Sequence, residues 1–297
     1  IQTAFLGDAI LALPAIQKLK ELIPDSSIDV LCIPETKEIF RASLSVDNTV
    51  AIDKKGEHKT LLKTYKFIKQ LKQNGYTRIY SSHRSFRTAL IILLLEVTES
   101  YGFENSSLKH VYKNLIPYFL NKHEVQRNLD LIGYGYDDET WRIIPKLSSE
   151  KIVSEKIKAF LGQNNLASGF IAIAPGSVWA TKKYPNEYFK NIVEHFIKNG
   201  AKLLLIGGEK DYTDCSRLAS GFNGKVVDAS GKFSVVESIE LLKGAKLLIS
   251  NDSAPTHMGM CADIKVLTIY CSTVPGFGFY PYTKKSASIS FNDLKCK

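Results

Sequence analysis

Three short stretches of this chain carry groups able to move a proton or hold phosphate. In Leu6-Gly7-Asp8-Ala9-Ile10 a carboxylate follows a glycine, between a short apolar run and a helical pattern that reaches Leu22. At the carboxyl end of a strand such a carboxylate points toward the crevice where α/β sheets bind ligands, and the glycine would let the backbone turn tightly. Asp8 suits a general base, because a helix N-terminus favours the ionised form; it equally suits an N-cap, and the two roles are compatible. The second stretch covers residues 175–185. There the small Gly176 and Ala180, the hydroxyls of Ser177 and Thr181 and the adjacent Lys182 and Lys183 precede a helix. Backbone N–H groups, a helix dipole and a cation then converge as a phosphate cradle. Adjacent lysines alone are ordinary solvated surface; the strand–loop–helix context gives them a ligand. The third stretch, Asn251-Asp252-Ser253-Ala254-Pro255-Thr256-His257, leaves a strand through small residues and enters a helix near Pro255, where a missing N–H costs little. Asp252 or Ser253 is expected to cap that helix. His257, one turn in, fits a core position as well as a ligand site. Gly207-Gly208-Glu209 ends a further strand; it lacks the G-x-G-x-x-G spacing, and by charge Glu209 suits a ribose hydroxyl pair better than a phosphate.

No Ser/His/Asp elbow, Walker lysine loop or D-x-D metal pair is present. The expected mechanism therefore needs no metal or other cofactor, with lysine and helix dipoles supporting a departing phosphate.

The elements that must hold these residues alternate between apolar runs of strand length and stretches of helical spacing, the pattern of an α/β fold with parallel sheets. Expected strands are 1–4 (cut short), 28–33 and 78–81 in the first half, then 170–174, 202–206, 247–250 and 266–270. Expected helices are 9–22, 61–73 and 86–97, then 186–198, 212–220, 235–242 and 256–262. A polar segment, 148–168, carries a helix at 151–160 and a loop at 162–165. It divides the chain into a first domain, 1–150, and a second, 151–297. With 297 residues and 44% hydrophobic content, each domain can bury its own core. The most apolar run, 89–95, is too short to cross a bilayer, and no secretory leader is visible. Five scattered cysteines (Cys32, Cys215, Cys261, Cys271, Cys296) lack zinc spacing and read as reduced thiols. A net charge of +9 and a pI near 9.1 suit an anionic partner: nucleic acid, an acidic membrane face or a phosphorylated substrate.

Together these motifs resemble glycosyltransferase family 9, the heptosyltransferases of lipopolysaccharide core assembly. Gly7-Asp8-Ala9-Ile10 with Leu13-Pro14-Ala15-Ile16 is similar to the family's opening signature, residues 174–185 to its donor loop, and 251–257 to its N-D-[ST]-G-x-x-H. The resemblance implies a GT-B architecture, two Rossmann-like domains facing a central cleft, with the acceptor held by the first and the nucleotide sugar by the second. It implies inversion at the anomeric carbon with Asp8 as catalytic base. It carries Ser177, Lys182, Glu209, Asp252, Ser253, Ala254 and His257 onto the donor site, with Lys182 at the phosphates, Glu209 near the ribose and Phe233 beside the adenine. Thr181 joins them as part of the donor loop. Ala254 stands where the family usually has Gly, an expected loss of backbone freedom. The chain reads as opening within its first strand, and relatives continue past Lys297 into a helix that returns to the first domain.

The basic set Ser82-His83-Arg84-Ser85-Phe86-Arg87, with Lys109, His110, Lys122, His123 and Arg127, falls in the expected acceptor domain. Arg84 and Arg87 are the expected contacts to an anionic lipopolysaccharide core, since guanidinium forks suit phosphate and carboxylate. The expected location is the cytoplasm, with peripheral contact at the inner-membrane face. Two competing readings are a sugar-nucleotide epimerase of similar fold, for which no acid/base pair flanking a sugar is found, and a non-catalytic sugar-nucleotide or nucleic-acid binder. Nucleic acid is disfavoured, because the aromatic residues are not interleaved with a basic ribbon.

Overall fold

The computed structural model describes residues 1–222 and 224–290. Cys296 lies outside them. The chain forms two compact units, Ile1–Lys146 and Leu147–Lys297.

In the first unit, β1 (Asp29–Cys32) pairs in parallel with β2 (Asn48–Ala51), and β3 (Arg78–Tyr80), β4 (Glu99–Phe103) and β5 (Asn114–Ile116) form a second parallel sheet. Residues 1–4, expected as a strand, form none. Gln2 N–H donates to the Leu31 carbonyl (3.0 Å) and the Ile1 amine to that of Tyr80 (2.6 Å), bridging the two sheets. The Ala4 N–H turns instead to its neighbour's Gln2 Oε1, so no ladder continues. β4 and β5 escape the sequence pattern because polar residues interrupt them; β4 is held in register by Glu99, which faces Arg78 across the pair at 2.8 Å.

Helix α1 (Leu6–Leu22) opens three residues earlier than its periodicity predicts, with Phe5 at the N-cap. It is buried from Ala9 to Ala15, and the carbonyl of Leu11 accepts from Asn128 of α5 (Glu124–Leu131). Around the sheets lie α2 (Lys37–Arg41), α3 (Leu61–Lys72) and α4 (Phe86–Leu95). Ile68 and Leu71 from α3 and Ile91 and Ile92 from α4 pack with Leu31, Ile52 and Ile79 into this unit's core.

The second unit is built on six parallel strands in the order β11-β10-β9-β6-β7-β8. These are β6 (Phe170–Ala174), β7 (Leu203–Leu205), β8 (Val226–Asp228), β9 (Ala245–Asn251), β10 (Val266–Tyr270) and β11 (Ala287–Ser290). β6 is buried at every position, the continuous apolar run of a strand covered on both faces. Helices α6 (Lys151–Gln163), α7 (Asn186–Lys198), α8 (Tyr212–Ser220), α9 (Val235–Leu242) and α10 (Ala254–Cys261) complete the unit. α9 begins at a full capping box, Ser234 accepting from Glu237 N–H while the Glu237 side chain accepts from Ser234 N–H. The chain moves outward from β6 through β7 and β8, then crosses back to β9 on the other side. The carboxyl ends of β6 and β9 thus flank a topological switch point, where open α/β sheets bind ligands.

Candidate functional site

At that switch point the loops after β6 and β9 are locked together. Asn251, the fully buried last residue of β9, donates from Nδ2 to the Pro175 carbonyl (2.7 Å) and accepts at Oδ1 from the Tyr184 N–H (2.9 Å). One amide therefore clamps both ends of the 175–185 loop. Ser253 stands at the N-cap of α10 but makes no cap; its hydroxyl lies 3.3 Å from the Gly176 carbonyl, which accepts from it. Asp252 does not cap the helix either. Its Oδ2 meets Lys182 Nζ at 2.6 Å and accepts from the Thr273 hydroxyl at 2.7 Å. Behind them, the hydroxyls of Ser250, Thr256 and Thr268 form a buried chain at 2.8 and 3.0 Å.

His257 is buried one turn into α10, and its Nδ1 has no partner. Burial, the largest effect, outweighs the nearby Asp252 and pushes its pKa down to about 4, so the ring is neutral at pH 7. Ala254 is the first helical residue and has no left-handed backbone, so the methyl in place of glycine carries no conformational cost there. Gly176 leaves room for Asp211: a Cβ on it would fall 2.2 Å from that carboxylate, which also accepts from the Gly208 N–H.

Of the two adjacent lysines, Lys183 pairs with Asp214 of α8 at 3.1 Å, leaving Lys182 as the one turned toward β9. Ser177 accepts from the Trp179 N–H, and Thr181 is exposed in a short 3-10 turn. Glu209 is exposed at the end of β7, against Gly231. Phe233 packs edge-on to Phe160 of α6 beneath Lys156.

In the first unit Asp8 lies half-buried in the first turn of α1, where the helix dipole supports its charge. Phe5 takes the N-cap position foreseen for Asp8, and Gly7 sits inside the helix without the tight turn expected of it. The carboxyl ends of β2 and β3 bring up Lys54 and residues 83–87. Lys54 Nζ donates to Thr3 Oγ1 (2.7 Å), and Arg87 donates to the Lys54 carbonyl (3.4 Å). Burial and then Arg87 lower the Lys54 pKa to about 8; burial, Lys54, the N-terminus and Arg84 lower that of His83 to about 4. Arg84 stacks on Tyr118 at 4.1 Å. Two others of the basic set are structural: Arg127 is buried in an ion pair with Glu124 (2.9 Å), and His123 caps α5. Lys54 and Thr273 escape sequence reasoning, since each owes its position to a partner on another element.

Residues 64–297 match the sequence model of glycosyltransferase family 9 (heptosyltransferase). The chain belongs to that family. This glycosyltransferase is 25% identical over 283 residues to lipopolysaccharide heptosyltransferase 3 of Escherichia coli, covering 91% of this chain and 82% of that protein. Its fold is shared with a glycosyl transferase family 9 structure from Veillonella parvula, with a TM-score of 0.86, 20% identity and coverage of 97% and 84%. The E. coli heptosyltransferase WaaC with ADP superposes with a TM-score of 0.78 at 18% identity, covering 98% and 93%. The GT-B pattern of two Rossmann-like α/β units is common to them. As a family member the chain is a glycosyltransferase, which sets aside the epimerase and non-catalytic readings. No helix among the described residues is long and apolar enough to cross a membrane.

Proposed function

We propose that this chain transfers heptose from ADP-heptose to an anionic lipopolysaccharide inner-core acceptor, with inversion. The observation that carries the donor half is the convergence of Lys182, Asp252, Ser253 and the neutral His257 on the switch point between β6 and β9. The α10 N-terminus and Lys182 meet the diphosphate, while Glu209 and Phe233 serve the ribose and adenine. The choice of ADP-heptose is supported by the shared fold of WaaC, solved with ADP and with ADP-2-deoxy-2-fluoro heptose. Asp8 takes the proton of an acceptor hydroxyl as its oxygen attacks the anomeric carbon. The bond from that carbon to the β-phosphate oxygen breaks, and ADP leaves with the electron pair. Lysine and helix dipoles, with no metal, stabilise the leaving diphosphate. Arg84 and Arg87, with Lys54, receive the acceptor's anionic groups.

The reaction runs at the cytoplasmic face of the inner membrane. On α3, Leu61, Leu62 and Tyr65 are 78%, 64% and 53% exposed, and Lys63, Lys66 and Lys69 lie on the same helix, with no ion pair to a carboxylate among the described residues. Apolar side chains flanked by lysines suit an anionic lipid surface.

Two measurements test the reading. ADP release from ADP-heptose with a truncated core acceptor is expected; release from UDP-sugars alone would overturn the donor. Co-sedimentation with anionic vesicles should fall for Leu61→Ser with Leu62→Ser, and unchanged sedimentation would remove α3 from the membrane.

A further inference from the structure

Lys182 and Thr273 converge on one carboxylate oxygen. Thr273 lies beyond β10, the neighbour of β9, and its hydroxyl donates to Asp252 Oδ2 at 2.7 Å, the atom that Lys182 Nζ meets at 2.6 Å. The Asp252 side chain is only 9% exposed, so losing a partner costs it more than it would cost a solvated carboxylate. Lys182 is thus already neutralised before any ligand arrives, and a diphosphate must draw it away from Asp252 or share it. Either way a buried carboxylate loses much of its counter-charge, next to an incoming anion of the same sign. In the empty site burial keeps the His257 ring neutral, so it gives Asp252 no counter-charge there.

Resting on the diphosphate reading above, we propose that Thr273 is a positioning residue that seats the Asp252 carboxylate while Lys182 passes between Asp252 and the donor diphosphate. The hydroxyl holds Oδ2 in both states. In the empty site it shares the carboxylate with the lysine; in the loaded site it is the donor that remains. Thr273 touches no reacting atom, and its effect on the ligand passes through Lys182.

A double-mutant cycle with ADP as the probe, read by calorimetry, tests this. Thr273→Val should weaken ADP by about 3- to 10-fold, a part of one hydrogen bond to a buried charge because the bond is present in the empty site too and only its strengthening reads out, and Thr273→Ser should restore wild-type affinity. In a Lys182→Ala background, where no lysine leaves Asp252, Thr273→Val should change ADP affinity by no more than about two-fold. Equal losses in both backgrounds would show a merely structural role and overturn the proposal, as would an unaltered affinity for Thr273→Val. Thr273→Ala reads the same loss if the valine variant does not fold. A wild-type chain that fails to bind ADP, or a Lys182→Ala variant that binds it as tightly as wild type, overturns the diphosphate reading itself.

Discussion

Asp8 and His257 show how one residue's setting decides its chemistry. Phe5 occupies the N-cap, and Asp8 lies in the first turn of α1. In its proposed role as general base it must accept a proton, which an amide does not do at neutral pH. Asp8→Asn should lower kcat by about 10²- to 10⁴-fold, with ADP affinity and melting temperature nearly constant. A wild-type kcat at saturating donor and acceptor would move the base elsewhere. His257 makes a prediction about pH. Below about 6.5 the unfolded chain takes up a proton that the buried ring refuses until about 4, so stability falls as pH drops through that window. His257 should contribute about 2 kcal/mol of the loss between pH 7 and pH 5 in denaturant unfolding of wild type, beside a comparable share from His83. His257→Gln, which cannot titrate, should flatten the dependence by that amount; an unchanged slope would mean that the ring is not the titrating group.

At the scale of elements, the 175–185 loop is held at both ends by β9. Asn251 reaches across from the strand end to Pro175 and Tyr184, at the two ends of the loop. Asn251→Ala leaves a buried carbonyl and a backbone N–H unpaired, at a cost of about 1–3 kcal/mol each. Asn251→Asp keeps the acceptor for Tyr184 but sets a carboxylate against the Pro175 carbonyl. Both variants should lose thermal stability and weaken ADP, the aspartate more than its single-atom change suggests. If both bind ADP like wild type, the clamp does not shape the site. The helices here were legible in the sequence: α7, α8 and α9 occupy the residues that their periodicity predicts, because α7 and α8 alternate an apolar and a polar face and α9 starts at a capping box. α1 was less so. Its buried stretch from Ala9 to Ala15 marks a helix core but not where the first turn begins.

For the whole molecule, the absence of a D-x-D pair in the sequence predicts turnover without a divalent ion. Heptose transfer measured in excess EDTA should match the untreated rate within about two-fold, the scatter of independent effects. Complete loss, restored by Mg²⁺ or Mn²⁺, would refute the metal-free mechanism. The division into two units falls at Lys146/Leu147, four residues before the boundary placed at 150/151, because the polar stretch around it has no apolar periodicity to mark one position.

By itself the sequence determined the α/β class, the strand–loop–helix setting of the motifs in the second unit and the stretches that resemble glycosyltransferase family 9. These are local properties: the period of apolar residues, the small residues at strand ends, and Pro255 at the start of a helix. Only the tertiary structure decided the partners. Lys182 and Asp252 are 70 residues apart and meet because β9 lies beside β6 in the sheet, an order that no local period encodes. Thr273 reaches the same carboxylate because β10 is the next strand out. The packing also sorted the basic set of the first unit. It buried Arg127 against Glu124, put His123 to work as a cap, and left Lys54 beside Arg87, where desolvation and like charge lower its pKa. Charge and residue type are written in the chain; which charge faces which is set by burial and strand order.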